Sequence, residues 1–536
     1  MINIKRRIYL LIAVTLFAWP ALGQAAESPS AQQPRSGGEL VFAVGELPPS
    51  FDGHRETTFG MLHPVAPHYS TLLRFDPQNY PKIVGDVAER WSFSRDGLTA
   101  TFTLRKNIKF HDGTPLTARD VKASYDKIIF PPEGVASARK ASFAMVDNIE
   151  APDDATVVFR LKHIAASFLA NLASPWNFIY SAERLKKDPR WYEKNILGSG
   201  PFIFGEHVAG SHWTGKRNPN YFMAGRPYLD GFRAVFIRDT APRVAAVRSG
   251  QVLAEFRGFN PAARDDIVKA LGNKALVQES PWACNILVAL NNEKKPFNDV
   301  RVRRALNLAI DRNEASKALS QISVMKYVGG VFRPGSEFAT PPAELTKLAG
   351  FGKDIETSRK EARRLLKEAA VPEGFSFVLK NRNVKEPYEV SCVFLVDQWR
   401  KIGLNVTHSP QEGGPYFNDL RQGNFDAGVD FACDFMDEPD LYLLKYVSTE
   451  KSPINYSRFK DPTFDELYER QSRMLDLKDR LPLLRQMERR AIAEQAYQFP
   501  LLWWQRIVPH SSRLKGWKIG PSHYVNQDLR DVWLAP

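Results

Sequence analysis

Residues 87–127 read VAERWSFSRDGLTATFTLRKNIKFHDGTPLTARDVKASYDK. Asp96-Gly97 lies between Trp91–Ser94 and Leu98–Leu104, and an Asp-Gly pair between two such runs predicts a tight β-hairpin. In the second arm Thr99, Thr101 and Thr103 alternate with Ala100, Phe102 and Leu104, the period of a half-buried strand. Asp112-Gly113 predicts another turn. Thr117 and Asp120 form a variant capping box that starts a helix running to about Ile128.

Outward from this stretch, strands and helices keep alternating. Glu39–Val44, Pro201–Glu206, Tyr228–Ile237 and Ile286–Leu290 read as strands. Ala241–Ser249 is a helix stopped at Gly250, and Asn298-Asp299 caps a helix with Val302, Leu306, Ala309 and Ile310 on one face. Ser358–Ala370 is charged and helical. Phe375–Leu379, the helix Tyr388–Ile402 stopped by Gly403, and Leu404–Thr407 form a βαβ unit. Two further helices, Phe464–Leu475 and Lys478–Gln495, end at Pro500. The class is α/β, with no internal repeat of fixed period.

The chain has 536 residues, which predicts three or four domains. Its hydrophobic (43%) and charged (25%) fractions are those of a globular protein and exclude wholesale disorder and a multi-span membrane protein. The aromatic share of 12% supplies both a large core and an aromatic-lined cavity. Met1–Ala26 reads as a secretory signal peptide. Lys5, Arg6 and Arg7 precede an apolar run from Ile8 to Ala18, and small residues follow Pro20. The run is too short for a bilayer span. No Cys lies near the cleavage region, so a soluble periplasmic protein rather than a lipoprotein is expected. Residues 27–36, rich in Ser, Gln and Pro, are expected to be a disordered lead-in. The net charge is +13, and Met1–Ala26 carries three basic residues and no acid, which leaves +10 on the remainder. The bases are interspersed with acids and form no tract with aromatics, so no nucleic-acid partner is expected.

Catalytic motifs are missing: there is no Walker loop, HExxH, GxSxG or EF-hand loop. His111-Asp112 looks like half a triad, but it follows a strand and precedes Gly113, where a turn accounts for it. The ten His residues share no metal-site spacing, and no cofactor or metal is expected. The acidic run Asp434, Asp437, Glu438, Asp440 fits a polar loop, or a patch facing a basic ligand group, at least as well as a cation site. Three cysteines, Cys284, Cys392 and Cys433, in an oxidising compartment predict one disulfide and one free thiol, and arithmetic does not choose the pair.

The 87–127 stretch closely resembles the signature region of the family 5 solute-binding proteins, the periplasmic receptors of ATP-driven importers. Further matches follow in order: GSGPF and KRNPNYF (198–222), YLDGFRAVFI (228–237), NNEKKPFNDVRVRRALNLAIDRN (291–313), WRKIGLNV (399–406), QGNFDA (422–427) and NYSRFKDPTFDEL (455–467). The resemblance implies a two-lobed periplasmic binding protein fold of the cluster C type. The first lobe would comprise 37–73, 198–282 and 505–536, with an extra domain, 74–197, inserted in it. The second lobe would be 283–504, with crossings near Trp282–Asn285 and Leu501–Gln505.

The function it implies is binding, not catalysis: a small organic solute, a short peptide first, is trapped between closing lobes. The partners would be an inner-membrane ABC permease and its ATPase, and the receptor would be a monomer. The rivals are a non-peptide solute (an opine, a modified sugar or a metal chelate), an enzyme on the same scaffold, and a chaperone-like role. By resemblance the loop Leu47–Thr58 lines the cavity through His54, Glu56 and Thr57. Trp503 and Trp504 stand at the second crossing, where the alternative for Trp503 is core packing. Cys284 and Cys433 occupy the positions of a family disulfide, and closing that loop contributes at most ~5 kcal/mol in the chain-entropy picture. Cys392 would be a buried free thiol. Peptide binders of the family hold the ligand amine with an Asp two residues after the second Cys. The register CDFMDEPD puts Phe435 there, flanked by Asp434 and Asp437. Neighbours on an extended segment face opposite ways, so Asp434 would not simply substitute. Arg382, in KNRNVKEP, matches an Arg of dipeptide binders that pairs with a ligand carboxylate; the alternative is a solvated strand-end Arg.

Overall fold

The structure is a computed structural model and describes residues 33–536. The stretch Met1–Ala26, expected to be a signal peptide, and most of the expected 27–36 lead-in fall outside the described residues. Among the described residues no helix is long and apolar enough to cross a membrane.

The quoted hairpin forms between Ala88–Phe93 and Thr99–Leu104. Ser94 N donates to Thr99 O, and Gly97 at the tip takes φ +71°, which favours glycine. Thr117 N donates to the Asp120 carboxylate and caps the helix Ala118–Ile129. That helix packs against an antiparallel sheet ordered Ala88–Phe93, Thr99–Leu104, Thr156–Leu161, Val146–Glu150. A second sheet is ordered Ala254–Glu255, Glu39–Val44, Gly231–Phe236, His212–Arg217, Phe202–Val208. Its first three strands are parallel, so their carboxyl ends emerge at one edge.

The third sheet has six strands, ordered Met325–Tyr327, Gln498–Ser511, Ala275–Leu290, Ala427–Cys433, Ser376–Arg382, Asn405–Gln411. The βαβ unit is present, with Ser376–Arg382 and Asn405–Gln411 paired in parallel across the helix Val390–Arg400. Sequence periodicity found only the last part of Ala275–Leu290; it placed the last helix at Lys478–Gln495, close to its observed end, but found no strand after it. In the structure the helical segment ends at Glu494 and a 14-residue strand starts at Gln498.

Two large hydrophobic cores result. One gathers the first two sheets from Leu40 to Val532, and the other gathers the third sheet and its helices from Trp282 to Trp504. We call these the first and second lobes. Ala275–Leu290 and Gln498–Ser511 run antiparallel from one lobe into the other, and their register shifts between Pro281 and Asn285. Further links span the gap. Tyr80 Oη accepts from Asp437 N (2.7 Å), Ala166 N donates to Ser472 O (2.8 Å), and Asn260 Nδ2 donates to Glu386 (3.2 Å). Met436, on a second-lobe loop, is buried in the first lobe's core.

Cys284 and Cys433 face each other on adjacent strands and are joined by a disulfide, while Cys392 is free and buried. The bridge spans 149 residues, so its chief effect is on the unfolded chain. Replacing both cysteines with serine is expected to lower unfolding free energy by about 2–4 kcal/mol in denaturant titration; no change would remove this role. Burial pushes the Cys392 thiol up, so a thiol reagent should find no reactive group in the native protein and one after unfolding.

Candidate functional site

The strand Ala427–Cys433 carries the chain to the gap between the lobes and stops there. Asp434 N still donates to Ala283 O (3.0 Å), but the backbone bends at Phe435. Strand alternation therefore no longer dictates where Asp434 and Phe435 point. The Asp434 carboxylate meets no hydrogen-bond donor among the described residues. Enclosure pushes it up to about 7, the nearby Lys445 pulling down and Asp437 pushing up. Lys445 itself is bound to Asp430 (2.7 Å) over the ring of Tyr456.

The neighbouring positions do other work. Phe435 packs edge-on against Trp176 of the first lobe at 5.5 Å. Asp437 is buried and spends its carboxylate on Arg333 (2.8 and 2.7 Å) and the Tyr442 hydroxyl (3.1 Å). Asp437 thus already accepts three hydrogen bonds and has its charge matched by Arg333, which makes it a poorer partner for a ligand amine than Asp434.

Arg382 ends the strand Ser376–Arg382 with its guanidinium among three aromatic rings, 4.1 Å from Tyr388, 4.8 Å from Phe431 and 5.4 Å from Phe417. No carboxylate among the described residues pairs with it, and its Nε is buried without a partner. A guanidinium stacked on rings keeps its in-plane donors for a planar anion.

The two tryptophans alternate as strand neighbours must. Trp503 is fully buried in the second-lobe core, donating to Gly330 O at 2.9 Å. Trp504 lies edge-on to Trp282 (5.6 Å) and Tyr388 (6.4 Å), its Nε1 without a partner. The first lobe presents Tyr524, its ring tilted against His523 (3.9 Å) and Trp176 (4.6 Å). Burial pushes both the Tyr524 and the Tyr388 hydroxyl up; Arg257, Glu46 and Asp434 act on the first, and Arg382, Asp430 and Arg257 on the second. Arg257, Trp282, Trp504, Tyr388 and Arg382 form one chain of contacts across the junction of the lobes, and Asp434, bonded through its N–H to Ala283 O, lies beside Trp282 at its middle; we call this aromatic junction the cleft.

The Leu47–Thr58 loop is arranged differently from the sequence expectation. His54 is fully buried inside the first lobe, its Nε2 2.9 Å from Phe178 O and its ring against Tyr180. Burial, with Lys127 close by, lowers it to about 3. It is held by Asp52, whose carboxylate accepts from His54 N and Lys127, so the loop folds inward around an ion pair. Glu56 accepts from Ser50 Oγ at 2.7 Å, and Thr57 is exposed. Sequence reasoning did not find Arg257, Trp282, Tyr388 or Tyr524. They lie on separate segments with no local motif, and the fold alone brings them together.

Two lobes with separate cores, joined by two long strands around an aromatic cleft with unpaired charges, define a solute-binding protein. The family model "Bacterial extracellular solute-binding proteins, family 5 Middle" matches residues 82–453, and the chain belongs to that family. It is thereby a binding protein and not an enzyme. Relatives include heme-binding protein A of Haemophilus influenzae, 27% identical over 85% of each chain. Di/tripeptide-binding protein 1 of Pseudomonas aeruginosa is 26% identical over 90% of this chain and 92% of that one. The solved structure of the ABC transporter-associated periplasmic binding protein DppA from Helicobacter pylori, in complex with peptide STSA, is 27% identical. It covers 93% of this chain and 98% of that one, with a TM-score of 0.75.

Proposed function

We propose that this protein is a periplasmic receptor that captures a short peptide with free termini and delivers it to an ABC importer. One observation carries the reading: the cleft holds an unpaired carboxylate, Asp434, and an unpaired guanidinium, Arg382, between aromatic walls. Unpaired charges in an enclosed site are costly, and a zwitterionic ligand offsets both. In this reading Asp434 takes the ligand ammonium and Arg382 its carboxylate by two parallel hydrogen bonds. Trp504, Trp282 and Tyr388 exclude water from the backbone between. The ligand touches both lobes, so it binds the closed form better than the open one and shifts the population accordingly. The Pseudomonas relative, a di/tripeptide-binding protein, and the Helicobacter structure, in complex with a peptide, support a peptide over other solutes. The basic-then-apolar stretch Lys5–Ala18 supports export.

Native mass spectrometry of the unheated protein from its own host tests this. A ladder of co-purified peptides is the expected result. A single non-peptide metabolite in stoichiometric amount would overturn the peptide reading and leave the receptor standing.

A further inference from the structure

Arg257 follows the short strand Ala254–Glu255 at the carboxyl edge of the parallel strands. Ligands of α/β sheets bind outside that edge. Its guanidinium lies over the rings of Phe59 (5.1 Å), from the first lobe, and Trp282 (5.4 Å), at the crossing. The side chain is half-buried, its Nε is enclosed without a partner, and no carboxylate among the described residues forms an ion pair with it.

The charges around it do not balance. Arg506, fully buried behind it, spends its donors on the carbonyls of Phe256, Arg257, Gly520 and Ser522 and repels Arg257. Glu255, two residues earlier in the chain, accepts from the backbone N–H groups of Arg257 (3.2 Å) and Gly258 (2.8 Å), and burial pushes it up. His63 and His523 are held neutral by burial, and neither ring nitrogen of His523 has a partner. Three guanidinium groups, those of Arg243, Arg257 and Arg506, thus act on Glu255, which is turned to the backbone, while Glu46 and Asp434 share the surroundings of Tyr524 with Arg257 and form no ion pair with it. An enclosed cation in that state favours an incoming anion. Arg257 and Arg382 come from different lobes and are linked by a run of rings: Arg257 lies over Trp282, Trp282 meets Trp504 (5.6 Å), Trp504 meets Tyr388 (6.4 Å), and Tyr388 lies under Arg382 (4.1 Å).

We infer that the cleft takes a solute with two acidic groups, one gripped by Arg382 on the second lobe and the other by Arg257 on the first. Resting on the peptide reading, the ligand class is a short peptide with an acidic side chain. A neutral dipeptide leaves Arg257 unpaired on closure, so acidic peptides close the lobes more favourably.

Calorimetric titration of the full mature protein with Ala-Glu, Ala-Gln and glutarate tests this. Ala-Glu is expected to bind roughly 10- to 150-fold more tightly than Ala-Gln, the span of one hydrogen bond to a charged group. In Arg257→Gln the ratio should fall below about threefold, and in Arg257→Lys, which keeps the charge without the planar fork, it should be intermediate. Equal binding of the two dipeptides by the unaltered protein overturns the role of Arg257 and leaves the peptide reading intact. Glutarate binding that weakens in Arg257→Gln, with neither dipeptide bound, supports the two-anion site and overturns the peptide reading. Binding of none of the three overturns the inference. The dipeptide ratio in the unaltered protein needs no variant to fold.

Discussion

Asp434→Asn is expected to weaken binding of an unblocked dipeptide by roughly 30- to 5,000-fold, the range of about 2–5 kcal/mol for removing one partner of an enclosed charge pair. The ligand ammonium would enter the cleft with no carboxylate to meet it. The pH profile separates this from a general defect. Enclosure pushes Asp434 up to about 7, so below that pH the site holds a proton that the ammonium must displace. Affinity should fall about tenfold per pH unit below about pH 7. It should fall again above about pH 8, where the ligand amine deprotonates. The acid limb should vanish in Asp434→Asn. Stability should move the other way. An acid whose folded pKa lies above its unfolded value contributes most below the unfolded value and loses that contribution as pH rises through the folded one. The ligand-free protein therefore carries a penalty at pH 8 that asparagine removes, and the variant should melt at a higher temperature there. Unchanged affinity with an unchanged pH profile would take Asp434 out of the site.

Lys127→Met is expected to cost about 3–5 kcal/mol of unfolding free energy in denaturant titration, because it strands a buried carboxylate. Lys127 Nζ sits 2.5 Å from Asp52, both side chains almost fully buried. The other Asp52 oxygen accepts from His54 N (2.9 Å) and the Tyr180 hydroxyl (3.1 Å). Burial alone would push Asp52 up, but Lys127 and His54 together hold it below the usual carboxylate range. The stability this supplies is present at neutral pH and fades as pH falls below about 4, where the unfolded chain takes up its proton. Adding Asp52→Leu to Lys127→Met should recover most of the loss, since apolar replacement of both partners is often neutral. A single-variant cost under about 1 kcal/mol would mean the pair does not hold the Leu47–Thr58 loop. The consequence for binding is indirect: that loop leads into the helix Phe59–Val65, whose first residue packs against Arg257.

Where an element's pattern is local, the sequence was sufficient. The hairpin around Gly97, the capped helix Ala118–Ile129 and the βαβ unit follow from turn residues, caps and periodicity. The two crossing strands were not legible. Ala275–Leu290 exposes Leu276 and Val277, contains Pro281 and then turns fully apolar, so no single period covers it. Gln498–Ser511 contains Pro500 and Pro509, which ordinarily argue against an interior strand. Each passes through two cores, and its two halves answer to different neighbours.

Strand alternation does not govern Asp434, because the strand ends one residue earlier, at Cys433. His54 was expected at the cavity, yet it turns inward toward Phe178 because Asp52 and Lys127 anchor the loop from below.

The sequence by itself determined the family, the alternation of strands and helices and, through resemblance, the Cys284–Cys433 bridge, because each rests on residues near one another or on matched positions. Only the tertiary structure decided which charges are spent. Asp434 and Asp437 are equivalent as letters, yet one carboxylate is left without a donor and the other is consumed by Arg333. Arg257, Arg382 and Arg506 are likewise alike in sequence. Arg506 is spent on the carbonyl of Phe256, 250 residues earlier in the chain, a partner that folding alone assembles, whereas Arg257 and Arg382 meet rings and no carboxylate.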